Sequence, residues 1–380
     1  LSLRFIKQGN LFKQTLAWNR PRVLEWVFIS SEVGMSICGG FGHCLFLQRD
    51  GVLLVTGKGT HGQHGMGSAM YNKTKPILCN KLSKIEICSV SCGFNFSACV
   101  DSSGNLYTFG CMSCSCLSSK FIKQSTPKVV ENLPPMLSVS CGSYFLVAVA
   151  KDGSVWSFGD NVCGQLGLGH TNAESAPKRV NLSDIVASAC GTEHSIFLDK
   201  HGKLYASGRN SSGCLGVGDY ENKSLPTPVA VDALIDHVLC GNMFSMFVDN
   251  ERRLWVTGSN TMGELGLGRD YQRINAPQLI PELNVLSISC SSDQVLCVNE
   301  NNELLGWGSK YANVCLNGAG SFTPKKIQDN ALSVAVGGTS VFIQTLEGQI
   351  QCWGNNEFGQ LGVGDLEHRE TPVPNPNLNV

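Results

Sequence analysis

The chain has 380 residues, a formal net charge of −1 and 42 glycines. Near-neutral charge excludes a general nucleic-acid-binding surface, and the glycine excess points to many tight turns rather than to long helices. The length alone suggests two or three domains, yet no linker-like stretch interrupts the chain, so a repeat array is expected to run through it as one unit.

In chain order, residues 1–30 come first as a segment apart. Arg4, Lys7, Lys13, Arg20 and Arg22 precede the first acid, Glu25. That density makes a weakly basic arm, which is the only feature that fits DNA or chromatin. Its last part, residues 22–29, is an apolar run expected to complete the final sheet of the array, because Val373-Pro374-Asn375-Pro376 holds too many prolines to pair along its length. Residues 31–380 form the array itself.

Seven copies follow. Their heads are Cys38-Gly39, Cys92-Gly93, Cys141-Gly142, Cys190-Gly191, Cys240-Gly241, Cys290-Ser291 and Val336-Gly337. Each copy closes on a glycine: Gly57, Gly110, Gly159, Gly208, Gly258, Gly308 and Gly354. From head to close the spacing is 18 in six copies, and 57 − 38 = 19 in the first. In the fourth copy, Val186–Cys190, Ser195–Leu198 and Lys203–Ser207 read as three strands, with Gly202 in a tight turn between the last two. A glycine loop, 209–218, then leads to a proline-bearing outer run around Pro228. The proline recurs at Pro76, Pro127, Pro177, Pro277, Pro324 and Pro372, as an edge strand permits. A period near fifty residues with four short strands per copy predicts an all-β propeller of seven blades, since one small sheet buries both faces only when neighbours stack against it. Antiparallel pairing puts the head turns and glycine loops on one face of the disc and the Lys151-Asp152-Gly153 type of turn on the other.

The copies resemble those of the regulator of chromosome condensation family. The residues that carry the likeness are Cys190-Gly-Thr-Glu-His194, Gly202-Lys-Leu-Tyr-Ala-Ser-Gly208, and the loops Asn161-Val-Cys-Gly-Gln-Leu-Gly167 and Asn356-Glu-Phe-Gly-Gln-Leu-Gly362, with variants at Gly213 and Gly263. The resemblance covers roughly residues 30–373 and implies a seven-bladed propeller. It also implies one of two functions: a propeller that binds a protein partner through one face, or, as the alternative, a guanine-nucleotide exchange factor for a Ran-type small GTPase. Exchange factors of this family carry acids at early head turns, histidines at later ones and a wedge in an early glycine loop. Here Phe94 and Tyr144 stand where acids are expected, and the histidine slot holds His43 and His194 but Phe96, Phe145, Phe244, Gln294 and Ser340 elsewhere. The expected partner-binding residues are therefore the variable head-turn positions: His43, Asn95, Tyr144, Glu193, His194, Met243 and Asp293.

Catalytic chemistry is sparse. Cys111-Met-Ser-Cys114-Ser-Cys116 has metal-like spacing without a fourth ligand, so no metal is expected. Gly57-Lys-Gly-Thr-His-Gly62 matches a dinucleotide fingerprint but has no helix behind it, so no cofactor is expected. Of the eighteen cysteines, Cys92, Cys141, Cys190, Cys240 and Cys290 recur at one strand position and read as small buried hydrophobes rather than disulfide partners. No signal peptide or bilayer-spanning run is visible, which predicts a reducing compartment, cytoplasmic or nuclear, and no membrane partner.

Overall fold

The computed structural model describes residues 35–67, 71–112, 124–309 and 320–378. They form seven four-stranded antiparallel units, numbered here as blades 1 to 7 in chain order, of which 7 and 1 are joined at Gly39–Gly337 into one sheet and 5 and 6 into another. Blade 1 consists of Met35–Gly39, His43–Gln48, Leu53–Gly57 and Lys73–Leu78, from the axis outward. Blades 5 and 6 share one unbroken strand, Arg273–Ser291, which is the outer strand of the first and the inner strand of the second.

The second strand of a blade shows why the copies need each other. Phe145–Ala150 is buried at every position. Side chains alternate across a strand, so Leu146, Ala148 and Ala150 pack toward blade 2 while Phe145, Val147 and Val149 pack toward blade 4. Seven apolar clusters result, one in each gap between neighbours, and the gap between blades 7 and 1 is filled like the rest by Met35, Ile37, Phe46, Phe342, Ile350 and Leu361 among others.

The glycine loop is the second inter-blade device. It leaves the end of the third strand and laps over the following blade. The Gln165 carbonyl accepts the Ser195 hydroxyl at 2.7 Å, and the Cys214 carbonyl accepts that of Ser245 at 2.7 Å. The recurring proline lies beneath this lap: a Cβ on Gly65, Gly216 or Gly362 would come within 2.9 to 3.3 Å of the ring of Pro127, Pro277 or Pro76. In blade 4 the residue in that place is Pro226, which faces Gly167, rather than Pro228.

Two sequence expectations are corrected. The outer strand of blade 7 is Arg369–Pro374, with Val373 opposite Cys352 and Pro374 opposite Gln351. Prolines at an edge forfeit only N–H groups that would point outward, so their number does not prevent pairing. Residues 22–29 lie outside the described residues. The register of the first copy also shifts by one. Gly40 donates to the His43 carbonyl as Gly93 does to Phe96 and Gly191 to His194, so the head of blade 1 is Gly39-Gly40 and its spacing becomes 57 − 39 = 18.

Candidate functional site: the head-turn face

The seven head turns and the starts of the glycine loops occupy one face. Within each blade the two are tied together: Lys58 N–H donates to the Gly42 carbonyl at 2.7 Å, Arg209 to Glu193 at 2.8 Å and Ser309 to Asp293 at 2.8 Å. Neighbouring turns are also linked, through Phe94 N–H to Ser143, Ser143 N–H to Thr192 and Asn242 N–H to Ser292. The turns of blades 2 to 4, and those of blades 5 and 6, are thus joined by backbone hydrogen bonds in a belt on this face, and the side chains it presents differ from blade to blade.

One arc of this belt is aromatic. The Phe41 and Phe94 rings stack with centroids 4.6 Å apart and planes at 11°. Tyr144 continues the row at 5.7 Å from Phe94, tilted by 44°. At the other end, the Lys58 ammonium lies 5.3 Å from the Phe41 ring and 5.2 Å from that of Phe358, a cation–π arrangement reaching back to blade 7. Phe41 is 49% exposed, while Phe94 and Tyr144 are half-buried. Burial and the nearby Cys111 push the Tyr144 phenol up from its ordinary range.

The other arc is acidic. Glu193 pairs with Arg209 at 2.6 Å. Thr192 donates to Asn242 at 2.6 Å, and the Asn242 side chain bonds Asp293. Behind them, Asp160 accepts from Gln165 at 3.2 Å and Glu264 from Ser259 at 3.1 Å. Burial raises the pKa of Asp160, Glu264 and Asp293 above the usual carboxylate range, with Glu193 adding repulsion at Asp160 and Asp293 at Glu264. Four acids thus face one arginine, and three of them hold their charge at a cost.

Five of the seven expected residues lie along this belt: Asn95, Tyr144, Glu193, Met243 and Asp293, all half-buried. Met243 accepts the Ser212 hydroxyl at 3.5 Å. The Asn95 side-chain oxygen is buried without a partner. His43 and His194 do not reach the surface. They are 0% and 1% exposed, and each ring turns into the next blade, where Nε2 lies 3.1 Å from Ser97 Oγ and 3.0 Å from Ser245 Oγ respectively. Each serine gives its own proton to a carbonyl, Gln63 or Cys214. The histidine must therefore be the donor, neutral and protonated on Nε2. Burial holds their pKa values down at about 3 and about 4.

The slot these histidines occupy is a packing slot. Phe96, Phe145 and Phe244 fill it in other blades and are 0 or 1% exposed. Each ring lies flat over its head glycine, where a Cβ would come within about 2.0 to 2.4 Å of ring carbon. Blade 6, with Gln294 in the slot, has Ser291 where that glycine would be. Sequence reasoning missed Phe41, Lys58 and Phe358. In the correct register Phe41 occupies the turn position of Phe94, and that equivalence was the available signal.

Of the Cys111, Cys114 and Cys116 trio, only Cys111 belongs to the described residues. Among those residues, no group of three or more His, Cys, Asp or Glu side chains is placed to hold a metal ion. A groove of about 300 Å³ lies at the opposite face beside Arg253, Leu283, Asn284, Asn299, Glu300 and Asn301. No helix among the described residues is long and apolar enough to cross a membrane.

Seven blades, with their head turns and the starts of their glycine loops gathered on one face, define a scaffold of the propeller class. The chain belongs to the RCC1-like family. The model of the RCC1-like domain matches residues 13–290, and that of the regulator of chromosome condensation (RCC1) repeat matches residues 347–380. Among curated proteins, the human probable E3 ubiquitin-protein ligase HERC4 is 31% identical over 103 residues, 24% of this chain and 10% of that protein. The mouse X-linked retinitis pigmentosa GTPase regulator is 35% identical over 82 residues, 22% of this chain and 8% of that protein. The aligned stretches thus span about a tenth of these relatives or less. Human WBSCR16 shares the fold with a TM-score of 0.75 at 21% identity, over 85% of this chain and 94% of that one. Prp20p from Saccharomyces cerevisiae, characterised for its binding properties to Gsp1p and histones, gives 0.72 at 20% identity over 80% of each chain.

Proposed function

We propose that this propeller binds a protein partner through its head-turn face, with the aromatic arc as apolar anchor and the acidic arc as charge complement to basic side chains. The observation that carries this reading is the row Phe358, Lys58, Phe41, Phe94 and Tyr144, which crosses four blades on one surface. A stacked aromatic row loses little conformational freedom on binding and offers large contact area, as binding hot spots do. The fold neighbour characterised with protein ligands supports the class of partner.

Nucleotide exchange on a small GTPase is the alternative. An exchange factor must prefer the nucleotide-free state. The early turn positions where acids would repel phosphate are here engaged in the aromatic stack, and the segment where a wedge would sit, between Cys111 and Gln124, lies almost wholly outside the described residues. Little or no acceleration of labelled-GDP release from a Ran-type GTPase is expected at micromolar propeller; a burst at substoichiometric propeller would overturn the platform reading. For the face itself, affinity capture should compare the wild-type chain with Phe41→Ser/Phe94→Ser and with Asp152→Lys/Arg252→Glu on the opposite face. The first pair is expected to lose the bound proteins and the second to keep them. The reverse pattern would move the site to the other face.

A further inference from the structure

The one-residue shift in the first copy has a chemical result. Cys92, Cys141, Cys190, Cys240 and Cys290 directly precede their head glycine or its serine stand-in, whereas Gly39 holds that place in blade 1 and Cys38 comes one residue earlier. A shift of one residue along a strand turns a side chain to the opposite face. The position Cys38 occupies is that of Ser91, Ser140 and Ser289 in blades 2, 3 and 6. Those hydroxyls face the next blade, where they accept the N–H of Cys141 at 3.0 Å, Cys190 at 2.9 Å and Val336 at 3.0 Å.

Cys38 faces blade 2 in the same way, and Cys92 faces back toward blade 1. The two sulfurs meet at 3.3 Å. Cys92 Sγ also reaches the Cys38 carbonyl at 3.7 Å, whereas Cys190 and Cys240 direct their sulfurs to the carbonyls of Ser140 and Ala189, both at 3.5 Å. Replacement of a serine by a cysteine, at one blade interface, thus converts the usual serine–cysteine contact into a facing dithiol. Both cysteines are reduced in this structure.

We propose that Cys38 and Cys92 form a reversible oxidation site, closed to a disulfide by a peroxide and reopened by a dithiol reductant. One thiolate attacks the peroxide, the O–O bond breaks, and one oxygen leaves as water after taking a proton, so that the first sulfur becomes a sulfenic acid. The second sulfur attacks that sulfur, the S–O bond breaks, and the oxygen leaves as a second water with the second thiol's proton. Closure brings the sulfurs from 3.3 Å to about 2.05 Å. Reduction by a dithiol returns two thiols and a disulfide in the reductant. The bond ties the inner strands of blades 1 and 2 just below the turns that carry Phe41 and Phe94. Cys92 is partly exposed, which gives a small oxidant access. Burial, reinforced by the hydrogen bond with Cys38, raises the Cys92 pKa well above the ordinary thiol value. Oxidation is therefore expected to quicken as pH rises.

The test treats the full chain with hydrogen peroxide, blocks remaining thiols, digests without reductant and identifies linked peptides by mass spectrometry. The expected product is a Cys38–Cys92 pair lighter by two hydrogens, dominant over links among Cys141, Cys190 and Cys240. A rise in melting temperature of several degrees should accompany it, vanish with dithiothreitol and be missing in Cys38→Ser. That substitution installs the residue used at this position in three other blades, so the variant should fold; Cys92→Ser provides an independent second control. Recovery of both cysteines as blocked thiols, links spread evenly over the ring, or a melting shift retained in Cys38→Ser would each overturn the proposal.

Discussion

His43 and His194 show how a single residue can look like a contact and act as a pin. In five blades a slot ring covers its head glycine and enters the next blade, and its chemistry follows what it meets there. Phe96 and Phe244 share apolar clusters with Leu146 and Val295, while His43 and His194 meet Ser97 and Ser245. Charging such a histidine would place an N–H on His43 Nδ1, which is buried without a partner. Because the folded pKa values, about 3 and about 4, lie below the unfolded value of 6.5, their contribution is fully present above pH 6.5 and is lost as pH falls toward those values. Between pH 6.5 and 5 the loss is about 2 kcal/mol per histidine. The raised acids, Asp160, Glu264 and Asp293, act in the opposite sense, favouring the fold at low pH. Thermal melts from pH 7 to 5 should therefore show a shallower decline in His194→Phe than in the wild type. Equal slopes would mean that His194 is already charged in the folded state.

At this scale the sequence was only partly legible. The slot was visible as a column of rings, but whether a ring faces solvent depends on the neighbouring blade, which no single copy contains. The register of the first copy was ambiguous because Cys38-Gly39-Gly40 supplies two candidate heads, signalled only by the spacing of 57 − 38 = 19, and the hydrogen bond from Gly40 to the His43 carbonyl selects the second. With that choice went Phe41, the most exposed ring of the aromatic row.

The elements were far more legible, since strand alternation and turn glycines are local properties. The lap was not, because it joins residues of different blades. Gly213 and Gly218 separate its two requirements. Both have positive φ, 82° and 89°. A Cβ on Gly213 would lie 2.3 Å from the Ile274 carbonyl oxygen of the next blade, whereas one on Gly218 would meet nothing within 4 Å. Gly218→Ala should therefore cost only the backbone term, about 1 kcal/mol. Gly213→Ala adds a backbone collision that no rotamer relieves, and should cost about 3 kcal/mol or more in urea unfolding. Equal costs would show that conformation alone, and not the lap, demands glycine there.

For the whole molecule the question is how the ring closes. Blade 7 carries four strands of its own, and its glycine loop laps blade 1 as the described loops of blades 1, 3, 4 and 5 lap their neighbours. Thr56 donates to the Gln360 carbonyl at 3.0 Å, Gly364 N–H donates to the Thr74 carbonyl at 2.8 Å, and Gly39 pairs with Gly337 at the axis. The apolar cluster in this gap is as complete as those elsewhere. Closure by lateral packing makes the 7–1 junction one more blade interface rather than a seam held by an exchanged strand. A strand from residues 22–29 would then be a fifth, covering the outer edge of Arg369–Pro374 rather than completing the blade. Deleting residues 1–30 should accordingly change the melting temperature less than Gly359→Val, whose side chain would be driven against the Thr74 backbone, where a Cβ already comes within 2.7 Å. The edge left bare by the deletion should show itself as concentration-dependent aggregation. A larger loss of melting temperature from the deletion than from Gly359→Val, measured side by side at low protein concentration, would show instead that the N-terminal run holds the ring shut.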